Sequence, residues 1–351
     1  MQTFFIIAIL LLGFLIVFQI AKASEYVSVL RGEEKARKQS NKINGFLLLA
    51  FLIVGLIGVY YCNEKLKGRI LGEAASDHGV LIDRMLYITI ALTGVVFVIT
   101  QVLLFWFAYK YQESDKRKAY YYPHNNKLEL IWTVIPAIAL TVLVGFGLFY
   151  WFKITGDAPK DSQIVEVTGK QFGWEFRYPG KDGILGKKYY KNVDAANNNP
   201  QGQLWDDRAN HDDVWMEQEM HVVVNKPVKL VINAKDVIHD VGLAHFRMKM
   251  DAVPGTPTTM WFTPLYTTKQ MAEMTGKPDF VYEISCDQMC GQGHWSMRGV
   301  IVVETQEEYD AWMASKTPQY LVANPPATPV TADSTGATTP GARAISQVKT
   351  N

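Results

Sequence analysis

Hydrophobic residues follow two different patterns in the two parts of this chain. The first part contains four uninterrupted apolar runs, at residues 4–20, 45–62, 86–109 and 130–152, and none of them includes Lys, Arg, Asp or Glu. Each run is close to the roughly 17–25 residues that an α-helix needs to cross a bilayer. Four such runs so close together favour membrane helices over the buried helices of a large soluble protein. We therefore predict a membrane region over residues 1–152 with four transmembrane helices.

The basic residues predict how these helices are oriented. They cluster after the first run (Lys22, Arg31, Lys35, Arg37, Lys38 and Lys42) and after the third (Lys110, Lys116, Arg117, Lys118 and Lys127). Both clusters should be cytoplasmic, which leaves everything after residue 152 on the outer side. The alternative is that the first run is a signal peptide, because Ala21-Lys22-Ala23 resembles a cleavage site. No basic residue precedes that run, however, and cleavage would invert the topology, so we interpret it as a helix.

From residue 163 onward, apolar and polar residues alternate as they do in β-strands. Phe172, Trp174, Phe176 and Tyr178 occupy every second position, and further strand-like segments cover residues 220–224, 228–233, 245–253, 258–262, 280–285 and 299–304. Many short strands separated by turns predict a β-sandwich or barrel, which we place at residues 153–316. Within it, residues 180–213 are polar and predict a long loop. A capping-box pattern from Thr305 to Glu308 predicts a short helix through Met313. Residues 317–351, rich in Pro, Thr, Ala and Ser, predict a disordered tail.

Charge and cysteine content exclude several functional classes. The 35 basic residues nearly balance the 34 acidic ones, for a net charge of +1. This balance argues against nucleic-acid binding, which needs a basic surface. The three cysteines, Cys62, Cys286 and Cys290, are too few for a disulfide framework, and the sequence lacks the Cys-x-x-Cys-His motif of attached haem.

One short segment concentrates metal-binding residue types. Cys286, Cys290, His294 and Met297 lie within twelve positions, and His239 follows an apolar pair further upstream. Thiolate, thioether and imidazole together favour copper, and the second thiolate suggests two copper ions bridged by both sulfurs. Glycines 291 and 293 let this loop fold tightly. Three alternatives remain open: a disulfide between the two cysteines, a structural zinc site, and buried inert thiols.

The pattern Cys-x3-Cys-Gly-x2-His-x2-Met, preceded by Asp-Val-Ile-His, resembles the dinuclear copper A site of cytochrome c oxidase subunit II. Residues 126–136, 250–255 and 304–313 are similar to other segments of that family, and the resemblance covers roughly residues 86–313. It implies a cupredoxin Greek-key domain docked over a haem-copper catalytic subunit. It also implies copper ligation by the side chains of His239, Cys286, Cys290, His294 and Met297 and by the main-chain carbonyl of Gln288.

The resemblance further implies a function. Such a subunit accepts electrons from cytochrome c, or from a cytochrome c domain, and passes them to haem in the catalytic subunit for oxygen reduction and proton pumping. Glu129 would lie at the entrance of a proton pathway, and the copper domain would face the periplasm of a bacterial inner membrane. Two alternatives are the copper A subunit of a nitric oxide reductase and a non-catalytic, membrane-anchored copper-binding module.

Three departures from the family pattern affect these expectations. Gln288 stands where the family has a Glu that helps to bind magnesium at the subunit interface, and a neutral amide is a poor replacement for that carboxylate. Phe172 and Gly173 replace large residues at the family's electron entry point, so Phe172 and Trp174 are the entry candidates here, although Trp174 also fits a core position. The first two apolar runs are additional to the family's helical hairpin, and we expect them to contact further oxidase subunits.

Overall fold

The structure is a computed structural model, and it describes residues 2–67 and 72–325. Four long helices come first: α1 (Gln2–Arg31), α2 (Glu33–Leu66), α3 (Asp77–Lys110) and α4 (Asn126–Thr155). In the described part of the chain, α2, α3 and α4 are long and apolar enough to cross a membrane. They contain the predicted runs at 45–62, 86–109 and 130–152, which confirms those three helices.

The first predicted run lies inside α1, which ends where Gly32 adopts a positive φ of 86°. Several α1 side chains lie outside the described residues, so the membrane-spanning role of this helix stays a prediction. Helices α2 and α3 pack closely at Gly45, where an added Cβ would lie 3.3 Å from the Tyr109 ring on α3. Near this contact, Lys38 forms an ion pair with Asp115, at the end of the helix pair that we predict to be cytoplasmic.

Ten strands follow, in two sheets. They are β1 (Gln163–Lys170), β2 (Gly173–Tyr178), β3 (Val214–Glu217), β4 (Glu219–Val223), β5 (Val228–Ala234), β6 (His239–Leu243), β7 (Met248–Ala252), β8 (Thr258–Phe262), β9 (Tyr282–Cys286) and β10 (Arg298–Glu304). One sheet has the order β3-β2-β1-β5-β8 and the other β4-β10-β9-β6-β7. The predicted all-β domain is thus a two-sheet sandwich.

Alternating apolar residues form the core of this sandwich. Val165 and Val167 on β1 and Leu230 and Ile232 on β5 are all completely buried, as side chains two residues apart share one face of a strand. Trp174 and Phe176 are also fully buried, as expected for core positions. In β2 both faces are buried, which the period-two pattern of its aromatic residues did not indicate.

The structure corrects several element boundaries. The segment predicted as a strand from residue 245 begins with a 3-10 turn, Ala244–Phe246, because Arg247 has a φ of 58° that no strand can include. Strands β3 and β6 were not predicted. Helix α5 (Thr268–Thr275) was also missed, whereas α6 (Gln306–Ala314) confirms the capping-box prediction, with the Glu308 amide donating to Thr305 Oγ1.

A second compact unit consists of residues 177–215 together with residues 314–325. Its centre is an ion pair in which Arg177 Nη1 lies 2.8 Å from Asp213 Oδ2, and both side chains are almost completely buried. The predicted tail is wrong at its start, because Gln319–Ala323 forms helix α7 and the Gln319 amide donates to the carbonyl of Asp213. The rest of the predicted tail, residues 326–351, lies outside the described residues.

Hydrogen bonds attach the sandwich to the outer ends of α3 and α4. The Asp77 carboxylate accepts from the Thr263 amide at 2.9 Å, and the Ser76 hydroxyl donates to the carbonyl of Phe246 at 2.7 Å. Further along, Arg247 forms a two-point ion pair with Asp83 on α3. The Trp261 indole on β8 donates to the carbonyl of Gly156, the residue that follows α4. These contacts join the β-domain to both helices without an intervening flexible linker.

Candidate metal centre

Two neighbouring strands bring the predicted ligands together. Strand β6 begins at His239 and strand β9 ends at Cys286, and the two run antiparallel with Val241 opposite Cys286. His239 and Val241 share one face of β6, so the imidazole lies diagonally across from the Cys286 side chain. The loop from residue 287 to 297 then returns to β10, and the Cys286 amide closes it by donating to the carbonyl of Met297.

The donor atoms form two groups, one around each sulfur. Cys286 Sγ lies 3.8 Å from His239 Nδ1 and 3.1 Å from the carbonyl oxygen of Gln288. Cys290 Sγ lies 3.7 Å from His294 Nδ1 and 3.8 Å from Met297 Sδ. The two sulfurs are 3.8 Å apart. Each thiol therefore has one imidazole and one weaker donor beside it. The two sulfurs lie next to each other, at the point where the two groups meet.

This arrangement discriminates between the alternatives for the two cysteines. Both are free, and a separation of 3.8 Å is far beyond the S–S bond length of about 2.05 Å. A structural zinc site would use four ligands in a tetrahedron. Here a thioether and a main-chain carbonyl extend the set beyond the two thiols and two imidazoles that zinc would use, and a weak thioether beside thiolate and imidazole is the pattern of copper electron-transfer sites. The residues present therefore fit copper.

Burial affects the protonation of the Cys290 thiol. Cys290 is only 4% exposed, and this burial, reinforced by the neighbouring Cys286 thiol, raises the pKa of Cys290 to about 11. Metals bind the thiolate, so a metal that binds here must displace protons. His239 and Met297 are equally inaccessible, whereas His294 is half-buried. The His294 side is thus the more open side of the centre.

Asp236 holds the His239 ring, and the sequence prediction gave it no role. Its Oδ1 lies 2.8 Å from His239 Nε2, and its carboxylate also accepts from the amides of Gln171 and Val237. Burial alone would raise the pKa of Asp236, but these hydrogen bonds outweigh it and keep the pKa below its usual value. An ionised carboxylate at Nε2 keeps the proton on that nitrogen and leaves the Nδ1 lone pair facing the sulfurs. In the sequence, this role of Asp236 could have been inferred from its position three residues before His239.

Gln171 connects the two groups of donors. Its amide binds Asp236, and its side-chain Nε2 donates to the carbonyl of Cys290. Two glycines allow close packing in the same region. A Cβ on Gly169 would lie 2.8 Å from the His239 ring, and a Cβ on Gly293 would lie 2.5 Å from the Phe172 ring. The turn between β1 and β2 therefore supports both His239 and the ligand loop.

The remaining candidates lie at different distances from this centre. Phe172 packs on the ligand loop and is 39% exposed, whereas Trp174 is buried and its ring lies edge-on to His239 with centroids 6.2 Å apart. His245 lies in the 3-10 turn and packs against the Phe280 ring. Its nitrogens are not among the donor atoms grouped around the two sulfurs. Glu129 lies in the first turn of α4, where it accepts from the Asn125 amide at 3.2 Å. Asn125 caps this N-terminal end of α4. The sandwich is attached to the other, C-terminal end of the helix.

Comparisons with known proteins agree with this architecture. Two family models match the chain: cytochrome c oxidase subunit II, transmembrane domain, at residues 73–149, and cytochrome c oxidase subunit II, periplasmic domain, at residues 163–305. The alternative cytochrome c oxidase subunit 2 of Bradyrhizobium diazoefficiens is 35% identical over 235 residues, which are 66% of this chain and 79% of that relative. The cytochrome c oxidase subunit 2 of Cereibacter sphaeroides is 26% identical over 65% of this chain and 73% of that relative. A solved structure, the periplasmic domain of subunit II of cytochrome oxidase of Bradyrhizobium japonicum, is 22% identical with a TM-score of 0.32, covering 45% of this chain and 95% of that one.

Proposed function

This chain belongs to the cytochrome c oxidase subunit II family, and from that premise we propose that it is the electron-entry subunit of a haem-copper oxidase. It is a membrane protein with its cupredoxin domain on the outer side, and its family implies copper binding and membership of an oxidoreductase complex. In this proposal it accepts electrons from cytochrome c, or from a cytochrome c domain, and passes them to haem in the catalytic subunit. Oxygen reduction and proton pumping then take place in that partner subunit.

The ligand set of this proposal is His239, Cys286, the carbonyl of Gln288, Cys290, His294 and Met297. The observation that carries it is the division of these donors into two equivalent groups around two sulfurs that are close but not bonded. A single tetrahedral ion could use the two thiols and two imidazoles, but the Met297 thioether and the Gln288 carbonyl extend the set beyond four donors, which favours two ions. These residues would hold two copper ions, which would supply one-electron uptake and release when bound.

The protein residues hold this centre rigid and limit access to it. Asp236 and Gln171 fix the His239 ring and the carbonyl of Cys290, while burial keeps water away from Cys286, Cys290 and Met297. Phe172 covers the ligand loop and remains partly exposed, so we assign the donor-facing surface to Phe172 and keep Trp174 as a buried neighbour.

Two further assignments of this proposal concern ions other than copper. Glu129 would admit protons at the cytoplasmic end of α4, where its carboxylate is half-buried in the first helical turn. The Gln288 side chain is exposed and neutral, so it supports no magnesium site of the kind that a carboxylate would build at this position.

Electron paramagnetic resonance with copper counting tests the proposal on the full chain. We expect two coppers per chain and a mixed-valence signal shared between them, and Cys290→Ser should abolish that signal. The matched control is Cys62→Ser, because Cys62 is exposed on α2 and should leave the signal unchanged. A single, redox-silent ion would refute the proposal and favour a non-catalytic copper-binding module.

A further inference from the structure

Large apolar side chains are exposed around the candidate metal centre. Trp295 directly follows His294 and is 79% exposed, more than any other tryptophan of the described residues. Met289, between the two cysteines of the same loop, is 72% exposed. Three more exposed apolar residues come from two neighbouring segments, namely Phe172, Val237 and Ile238. Isolated exposed apolar residues are ordinary on a protein surface, whereas a group of them at one site indicates a surface that binds a partner.

Hydrogen bonds hold these three segments against one another. The Gln171 side chain donates to a main-chain carbonyl of the ligand loop, which attaches the turn that carries Phe172 to that loop. The Phe172 ring also lies against the loop, where a Cβ on Gly293 would be 2.5 Å from it. Asp236 accepts from the amides of Gln171 and Val237, which joins the third segment to the same turn. The five apolar side chains therefore belong to one connected surface, which we call the apolar surface.

The backbone on both sides of Trp295 is fixed by hydrogen bonds. His294–Ser296 forms a 3-10 turn. The amide and the hydroxyl of Ser296 both donate to the carbonyl of Gly293, at 3.0 Å and 2.9 Å. A partner that binds the indole would therefore not have to order this turn. Tryptophan on a preformed surface is the residue type that most often dominates the binding energy of an interface.

Few charges near the apolar surface are free to meet a partner. Asp287 is the only Asp, Glu, Lys or Arg in the ligand loop. Its carboxylate lies against Gly242 on β6 and accepts from the Ser285 hydroxyl at 2.9 Å. The carboxylate of Asp236 is engaged by His239 and by two main-chain amides. Three neighbouring cations form ion pairs with three carboxylates, namely Lys170, Lys235 and Arg298 with Glu175, Glu217 and Glu283. Charge therefore contributes little to the attraction of a partner here.

We propose that the apolar surface is the docking site of the electron donor, with Trp295 as its anchor. The donor is a c-type cytochrome whose exposed haem edge is surrounded by uncharged side chains. This docking site deepens the proposed function and rests on it, because a donor must bring its haem edge close to the ligands. His294 is on the more open side of the centre, so a haem edge that contacts the adjacent indole lies beside it. A ring of lysines on the donor would lose hydration here without gaining ion pairs, which favours the uncharged partner.

Binding of two cytochromes to the reduced, copper-free full chain tests the proposal. One is a lysine-rich cytochrome c, and the other is the same protein after acetylation of its lysines, which removes their charges. We expect the acetylated protein to bind at least as tightly as the unmodified one. Its affinity should change less than about two-fold between about 0.01 M and about 0.1 M salt, although the Debye length falls from about 30 Å to about 10 Å. Tighter binding of the lysine-rich form, with a steep loss in salt, would overturn the proposal.

Two sets of variants locate the contact. Trp295→Ala should weaken binding of the acetylated cytochrome about thirty-fold, which corresponds to the roughly 2 kcal/mol of an interface hot spot. Trp295→Phe should restore most of the affinity, because it keeps an apolar ring. Met289→Ala should weaken binding to a smaller extent, and its matched control is Met274→Ala, because Met274 is exposed on α5, outside the apolar surface. Unchanged binding by Trp295→Ala, or equal effects of the two methionine variants, would contradict the assignment.

The copper-loaded protein separates this docking site from the proposed function. Trp295→Ala should keep two coppers and the mixed-valence signal, because the indole supplies no ligand. If that variant keeps the signal and also binds the cytochrome as the unmodified chain does, the docking site is wrong and the proposed function stands. A single, redox-silent ion in the unmodified chain would end both. The binding measurement is repeated on the purified oxidase complex, where a loss of binding would mean that a neighbouring subunit covers the apolar surface and would also refute the docking site.

Discussion

Replacing Asp236 tests whether the hydrogen bond to His239 determines metal affinity. The Asp236 carboxylate lies 2.8 Å from His239 Nε2 and 2.7 Å from the amide nitrogens of Gln171 and Val237. A hydrogen bond to a charged group contributes about 1.5–3 kcal/mol, so losing the bond to the imidazole should weaken copper binding by about ten- to hundred-fold. Asp236→Ala removes all three bonds and should reach the upper part of this range. Asp236→Asn should lie near ten-fold, because one carboxamide oxygen cannot replace two carboxylate oxygens.

The assay is a competition titration of the full chain against a copper chelator, with the paramagnetic signal recorded at saturation. The matched control is Asp279→Asn, because Asp279 is exposed and carries the same charge change away from His239. We expect its affinity to equal that of the unmodified protein. If Asp236→Ala bound copper within about two-fold of the unmodified protein, with the same spectrum, the reasoning that a second layer of hydrogen bonds fixes the ring would be refuted.

Two further predictions concern the same centre. Gly169→Ala should lower copper affinity while the sandwich stays folded, because its Cβ would lie 2.8 Å from the His239 ring, and circular dichroism with the same titration would measure both effects. Copper affinity should also fall as the pH falls, because the Cys290 thiol has a pKa raised to about 11 and must lose its proton to bind metal. Between about pH 9 and about pH 7, we expect up to a tenfold loss per pH unit for each displaced proton, and a pH-independent affinity would contradict this.

The sequence predicted the fold well where a pattern was long or regular. Apolar runs of about twenty residues correctly placed α2, α3 and α4, because a membrane helix needs no partner strand to define it. The strands β3 and β6 escaped prediction because each is short and interrupted by polar residues or glycine. In β6, Asp240 and Gly242 interrupt the apolar pattern, yet both positions are buried, and Gly242 leaves room for the carboxylate of Asp287. Only the tertiary packing makes that segment a strand.

The candidate site was predictable to the level of its ligands but not of their supports. Cys286, Cys290, His294 and Met297 lie in one loop, so their spacing alone indicated a shared role, which the structure supports by placing their donor atoms side by side. The contribution of Gln171 was not predictable, because Gln171 lies more than one hundred residues before Cys290, whose carbonyl it binds. The apparent alternation of Phe172 with Trp174 was misleading, since β2 starts only at Gly173 and leaves the Phe172 ring on the ligand loop.

The attachment of the β-domain to the helix ends has a consequence for the rate of electron transfer. Tunnelling between redox centres slows steeply with distance, so a domain that swung on a flexible tether would transfer electrons only in rare close approaches. Here Trp261 is fastened to Gly156 and Arg247 to Asp83, each by direct hydrogen bonds. These bonds fix the position of the β-domain relative to the outer ends of the transmembrane helices, so in the proposed function every reduced molecule would start its onward electron transfer from the same place.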